Sequence, residues 1–168
     1  VADIAIAAKF RNNGQVCISP NRFYIQENVK DEFISAFINR AKKLKIGNGM
    51  DEGVNLGPLT TAKRLEEIEK LVDTTKKEGA KVLMGGKRPS DFNKGFYYEP
   101  TVFDKVEDNF TIMKEEPFGP LVPMLAFKTF DEVIERANDN DLGLCSYLYT
   151  NSMDKANRGS ELLETGCV

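Results

Sequence analysis

Histidine is absent from the 168 residues. Any Ser-His-Asp or Cys-His arrangement built from this chain is therefore excluded, since both need an imidazole as base. Cysteine is scarce: three residues, an odd number at wide spacing, at positions 17, 145 and 167. Such a set reads neither as a disulfide framework nor as a zinc site. It fits a reducing, cytoplasmic setting. No apolar run approaches the length of a membrane span, and no signal-peptide pattern opens the chain. Positive charge is not in excess either. Lys and Arg number 23 against 26 Asp and Glu, a net charge of −3. With no domain-wide basic field, nucleic acid is a poor fit as partner.

What is present is ordinary globular composition, 41% hydrophobic and 29% charged, enough to bury one sizeable core. Residues 3–12 are rich in alanine and read as a helix, ended by the turn pair Asn13-Gly14. Residues 22–26 form a short β-type run. Residues 29–44 repeat apolar side chains at helical spacing behind Asn28 as cap, and lysines gather at their C-terminal end. After a glycine-rich loop, Thr60 or Thr61 opens a helix to about residue 78, and Gly79 closes it. Strands are expected at 80–84, 96–98, 101–103, 121–127 and 144–149. Pro123 argues for an edge or a bulge in the fourth of these. Thr129-Phe130-Asp131-Glu132 is a capping box for a helix to about residue 138, and Ser152 caps another to about residue 163. Strands alternating with helices across short loops predict an α/β, three-layer architecture: a mostly parallel sheet with helices on both faces. No repeat or low-complexity tract interrupts it. Both ends read as cut, so a piece of a longer protein is expected.

Three features could carry chemistry. Cys17 follows the turn at Gly14-Gln15-Val16, with Lys9 and Arg11 behind it. Nearby positive charge raises the thiolate fraction. The competing reading is a small buried apolar residue, the usual fate of a free cysteine. Cys145 and Cys167 read as core. Second, Glu115-Glu116 precedes the rigid turn Pro117-Phe118-Gly119-Pro120. A carboxylate there suits a ribose diol; a solvated loop pair is the alternative. Third, the Arg11 guanidinium could hold a substrate carboxylate in a bidentate pair, or simply sit at a helix end. The glycines at 47–57 and 85–86 match neither G-x-G-x-x-G nor a Walker loop and read as turns.

Together these segments resemble the aldehyde dehydrogenase superfamily. Lys9-Phe10-Arg11-Asn12-Asn13-Gly14-Gln15-Val16-Cys17 is similar to the stretch bearing that family's catalytic cysteine. Leu56-Gly57-Pro58-Leu59, Tyr98-Glu99-Pro100-Thr101-Val102, Glu115-Glu116-Pro117-Phe118-Gly119-Pro120 and Ala137-Asn138 with Leu142-Gly143-Leu144 follow in the family's order. The Lys-Phe-Arg-Asn lead-in and Glu-Glu-Pro-Phe-Gly-Pro-Leu-Val-Pro resemble succinate-semialdehyde dehydrogenases most. Relatives acting on other semialdehydes share the arginine.

The resemblance implies that residues 1–168 are part of the nucleophile-bearing catalytic domain, with the cofactor domain and the C-terminal segment absent. It implies oxidation of a small-molecule aldehyde with NAD or NADP. Cys17 would be the nucleophile, Arg11 the clamp on a substrate carboxylate, Glu116 the holder of the nicotinamide ribose, and Phe118 its apolar neighbour. No metal is implied. An asparagine completing the oxyanion site and a glutamate base would lie before residue 1, which accounts for a site without histidine. The fragment alone is expected to be inactive, and the parent to be a homo-oligomer. Some members carry a second cysteine two residues after the nucleophile as a redox switch. Ser19 stands there, so that switch is not expected. The alternatives are a general aliphatic aldehyde dehydrogenase, a non-catalytic binding module of the same fold and, less favoured, a thiol acyltransferase.

Overall fold

The computed structural model describes residues 1–168. Four strands form its sheet: β1 (Phe23–Gln26), β2 (Lys81–Met84), β3 (Thr101–Asp104) and β4 (Leu121–Phe127). They lie in the order β1-β4-β3-β2. The pairs β1–β4 and β3–β4 are parallel, and β2 adds an antiparallel edge. Six helices accompany them: α1 (Ala2–Phe10), α2 (Lys30–Ala41), α3 (Ala62–Glu78), the single turn α4 (Thr111–Lys114), α5 (Phe130–Asn138) and α6 (Met153–Leu162).

Side chains alternate across a strand, so each central strand feeds two cores. Val102, Val122 and Met124 point to one face and join Ala5, Ile6 and Phe10 of α1 and Ile34, Phe37 and Ala41 of α2. Phe103, Leu121 and Leu125 point to the other and meet Leu65, Ile68, Leu71 and Val72 of α3. The expected three layers, with helices on both faces of a mostly parallel sheet, are thus observed. Helix α3 begins where the hydroxyl of Thr61 accepts from Arg64 N (3.1 Å) and ends at left-handed Gly79. Helix α5 opens with the complete capping box of Thr129 and Glu132. Its Arg136 donates to Ala126 O of β4 (2.7 Å) and to Asp108 (2.8 Å), which also accepts from the hydroxyl of Tyr24 (2.9 Å). Helix α5 is thereby tied to β1, β4 and the loop before α4.

Several local expectations need correction. Pro123 is not on an edge: β4 is central. The ladder to β3 uses Leu121, Val122 and Pro123, and the ladder to β1 starts at Met124. Proline therefore falls where β4 changes partner, and its missing N–H costs little pairing. Residues 96–98 form no strand; Leu59 N–H binds Phe96 O (2.8 Å) across a loop instead. The first helix stops at Phe10, and Val29, not Asn28, stands before α2 without a side-chain cap. Residues 144–149 form no strand and do not join the sheet. Cys145 is consequently half-buried and Cys167 exposed, so neither is core.

Candidate active site

The Cys17 loop is shaped by three successive left-handed residues, Asn12 (φ 49°), Asn13 (φ 56°) and Gly14 (φ 76°). Asparagine and glycine are the residue types that tolerate this region, so the motif Asn-Asn-Gly encodes an abrupt reversal after α1. Gly14 then packs against backbone. A Cβ there would stand 2.2 Å from Gly119 O. This contact sets the cysteine loop directly on the Pro-Phe-Gly-Pro turn, although the two segments are distant in sequence. The turn carries its own left-handed residue, Phe118 (φ 47°).

The start of α3 holds both partners. Asn13 Nδ2 donates to Gly57 O (3.0 Å), and Gln15 Oε1 accepts from Thr60 N (2.9 Å). Arg64, in the first turn of α3, donates to Pro117 O (3.4 Å). The Leu56-Gly57-Pro58-Leu59 segment is therefore a seat for the cysteine loop. Beyond Gln15 the chain makes a β-turn closed by Ser19 N to Val16 O (2.9 Å), with Cys17 exposed at its second position. Ser19 is buried and its hydroxyl donates to Lys9 O (3.0 Å). Ser19 is thus a structural anchor for the end of the loop.

Cys17, Glu115 and Glu116 line one cavity of about 810 Å³, whose other walls include β1, α5 and residues 140–150. Cys17 and Glu116 thus line the same cavity. Arg11 and Phe118 are not on it: Arg11 is exposed at the end of α1, and Phe118 is half-buried in its turn. Lys9 also departs from expectation. It is fully buried, its Nζ donates to Asn21 (3.1 Å), and burial pushes its pKa down to about 7. It is a support beneath the loop and not a permanent cation beside the thiol. Two contributors escaped sequence reasoning. Gln15 ties the loop to α3, and the hydroxyl of Tyr147 donates to Ile18 O (2.9 Å). Only the placement of Gln15 next to the turn signal could have flagged the first. Nothing in the sequence links Tyr147 to residue 18.

The chain matches the aldehyde dehydrogenase family over residues 1–168. It belongs to that family. Among curated relatives, it is 42% identical over 164 residues to the mitochondrial succinate-semialdehyde dehydrogenase of Oryza sativa subsp. japonica, with 98% of this chain and 31% of the relative covered. It is 41% identical over 167 residues to 3,6-anhydro-alpha-L-galactose dehydrogenase of Vibrio sp. (strain EJY3), covering 98% and 35%. The solved betaine aldehyde dehydrogenase of Staphylococcus aureus, in complex with NAD+, superposes with a TM-score of 0.96 at 37% identity, covering 99% of this chain and 34% of that one. The chain therefore spans about a third of the length of these aldehyde dehydrogenases. None of its helices is long and apolar enough to cross a membrane.

Proposed function

We propose that this chain is the nucleophile-bearing part of the catalytic domain of an NAD(P)-dependent semialdehyde dehydrogenase, with succinate semialdehyde or a similar carboxylate-bearing aldehyde as substrate. The observation that carries this reading is the packing of Gly14 on Gly119, which sets the Cys17 loop and the Glu116 turn on one cavity.

In this reading the Cys17 thiolate attacks the aldehyde carbon, and the Cys17 backbone N–H contributes to holding the oxyanion. The chemistry supplied by bound NAD or NADP is acceptance of the hydride. One feature fits such a cofactor: the Glu116 carboxylate is exposed on the cavity that Cys17 also lines, where it can accept from ribose hydroxyls; Phe118, on the same turn, would pack beside the nicotinamide end. The thioester left on Cys17 is hydrolysed by water activated by a glutamate outside this chain. With that base and most of the cofactor domain elsewhere, residues 1–168 alone turn over no aldehyde. The three unbridged thiols support a cytoplasmic setting, and the whole enzyme acts as a homo-oligomer.

Arg11 binds the carboxylate end of the substrate. The test compares kcat/KM of the full-length enzyme for succinate semialdehyde and for a neutral aldehyde, before and after Arg11→Ala. A charged-substrate loss of about 2–5 kcal/mol, with little change for the neutral one, is expected. Equal losses would remove Arg11 from this role. They would favour the second reading, a general aldehyde dehydrogenase, which the position of Arg11 off the cavity wall supports.

A further inference from the structure

Two Asn-Gly pairs occur in the chain, Asn13-Gly14 and Asn48-Gly49. In this dipeptide the following backbone nitrogen closes readily on the side-chain amide carbon, because glycine has no Cβ to obstruct the approach. The fold treats the two pairs oppositely. Asn13 is 1% exposed, its Nδ2 donates to Gly57 O (3.0 Å), and Gly14 is pressed on Gly119 O. The nitrogen that would leave as ammonia is tied down there, and its neighbour has no room to shift. Asn48 instead heads an exposed turn closed by Asp51 N–H on Asn48 O (2.9 Å). Met50 N–H donates to Asn48 Oδ1 (3.1 Å), which draws electrons from the amide carbon, while Nδ2 has no partner in the chain. Gly49 N–H is unpaired as well, and nothing lies within 4 Å of a Cβ position on Gly49. Below the turn the loop is clamped by Gly47 N–H on Leu56 O (3.0 Å) and Leu56 N–H on Lys45 O (3.1 Å). The reactive turn is thereby separated from the Leu56–Leu59 seat of the cysteine loop.

We propose that Asn48-Gly49 is a site of spontaneous modification, at which Asn48 converts through a succinimide to aspartyl and isoaspartyl forms, while Asn13-Gly14 in the Cys17 loop is protected. Gly49 N gives its proton to solvent and bonds to Asn48 Cγ. The Cγ–Nδ2 bond breaks, and the nitrogen leaves as ammonia. Water then opens the five-membered ring at either carbonyl. One opening restores the ordinary main chain with a carboxylate in place of the amide. The other carries the main chain through the former side chain and lengthens the turn by one methylene. One water is consumed and one ammonia released, with no redox change. Each conversion adds one negative charge to a chain of net charge −3. The site is independent of the chemistry proposed for Cys17.

Trypsin separates the two pairs onto the peptides 12–22 and 46–63. The full-length enzyme is held in warm, mildly alkaline buffer, with and without guanidinium chloride, sampled over time and digested. Fragment spectra locate the amide-to-acid mass increase and the isoaspartyl linkage. The deciding quantity for each pair is its native rate divided by its rate in denaturant. This ratio should be at least about tenfold larger for Asn48 than for Asn13, since a buried amide reacts only from opened molecules. Gly49 lies outside the left-handed region and has room for a Cβ, so Gly49→Ala folds as before and should slow native conversion at position 48 by about tenfold. A smaller difference between the two ratios overturns the proposal. So does a native rate at position 48 that Gly49→Ala leaves unchanged, or conversion in the peptide 46–63 that falls on Asn55.

Discussion

Replacing Gly14 by alanine tests the contact that joins the two halves of the candidate site. Two costs combine there. The residue sits at φ 76°, where a Cβ costs about 1–2 kcal/mol. The new Cβ would also stand 2.2 Å from Gly119 O, 2.7 Å from Gly119 C and 3.3 Å from Pro120 N. All three are backbone atoms, so no side chain can swing aside, and the overpacking adds about 1–3 kcal/mol. Gly53 provides the control. Its φ is 75°, and nothing lies within 4 Å of its Cβ position, so Gly53→Ala carries the conformational cost alone. Urea unfolding of the chain and both variants, with unchanged slope, separates the terms. Gly14→Ala should lose about 2–5 kcal/mol and exceed Gly53→Ala by about 1–3 kcal/mol. Equal losses at the two glycines would mean that the cysteine loop does not rest on the Gly119 backbone, and the two-part site would lose its foundation.

The buried Lys9 gives a pH dependence. Its folded pKa, about 7, lies below its ordinary 10.5, so the unfolded chain binds more protons between those values and stability rises with pH across that window. Relative to Lys9→Met, the native chain should gain about 2 kcal/mol between pH 7 and pH 9. A difference that stays flat over this range would contradict the buried placement. Thr129→Ala removes half of the capping box on α5 and should cost about 1 kcal/mol by the same unfolding assay, whereas a change within about 0.3 kcal/mol would show the box to be idle.

Elements with a strong local code are legible in the amino-acid order alone. Helix α3 has an apolar stripe, a threonine cap and a closing glycine. Helix α5 has its capping box. Both form within a residue or two of expectation. The strand expected at 144–149 has an apolar pattern, but pairing is a long-range property, and its only backbone partner here is at Cys167. Pro123 misleads for the same reason: the rule about proline concerns missing N–H bonds, and only the sheet order reveals that one ladder ends where another begins. The site divides similarly. Cys17 and Glu116 can be picked out by their motifs, but their meeting at one cavity depends on the Gly14–Gly119 contact, which no spacing encodes. Lys9 sits in an alanine-rich helix next to Phe10, and only the packing of α1 on α2 shows that its amine is buried.

The central claim is that the Cys17 sulfur carries the acyl group during turnover. The most direct measurement is rapid quenching of the full-length enzyme with succinate semialdehyde and NAD(P), followed by mass spectrometry of the peptide 12–22. The account predicts a succinyl thioester on Cys17 that forms with the first equivalent of reduced cofactor and disappears as substrate is exhausted, with both signals abolished by Cys17→Ala. Turnover that survives Cys17→Ala, or an acyl group found on any other residue, would contradict it.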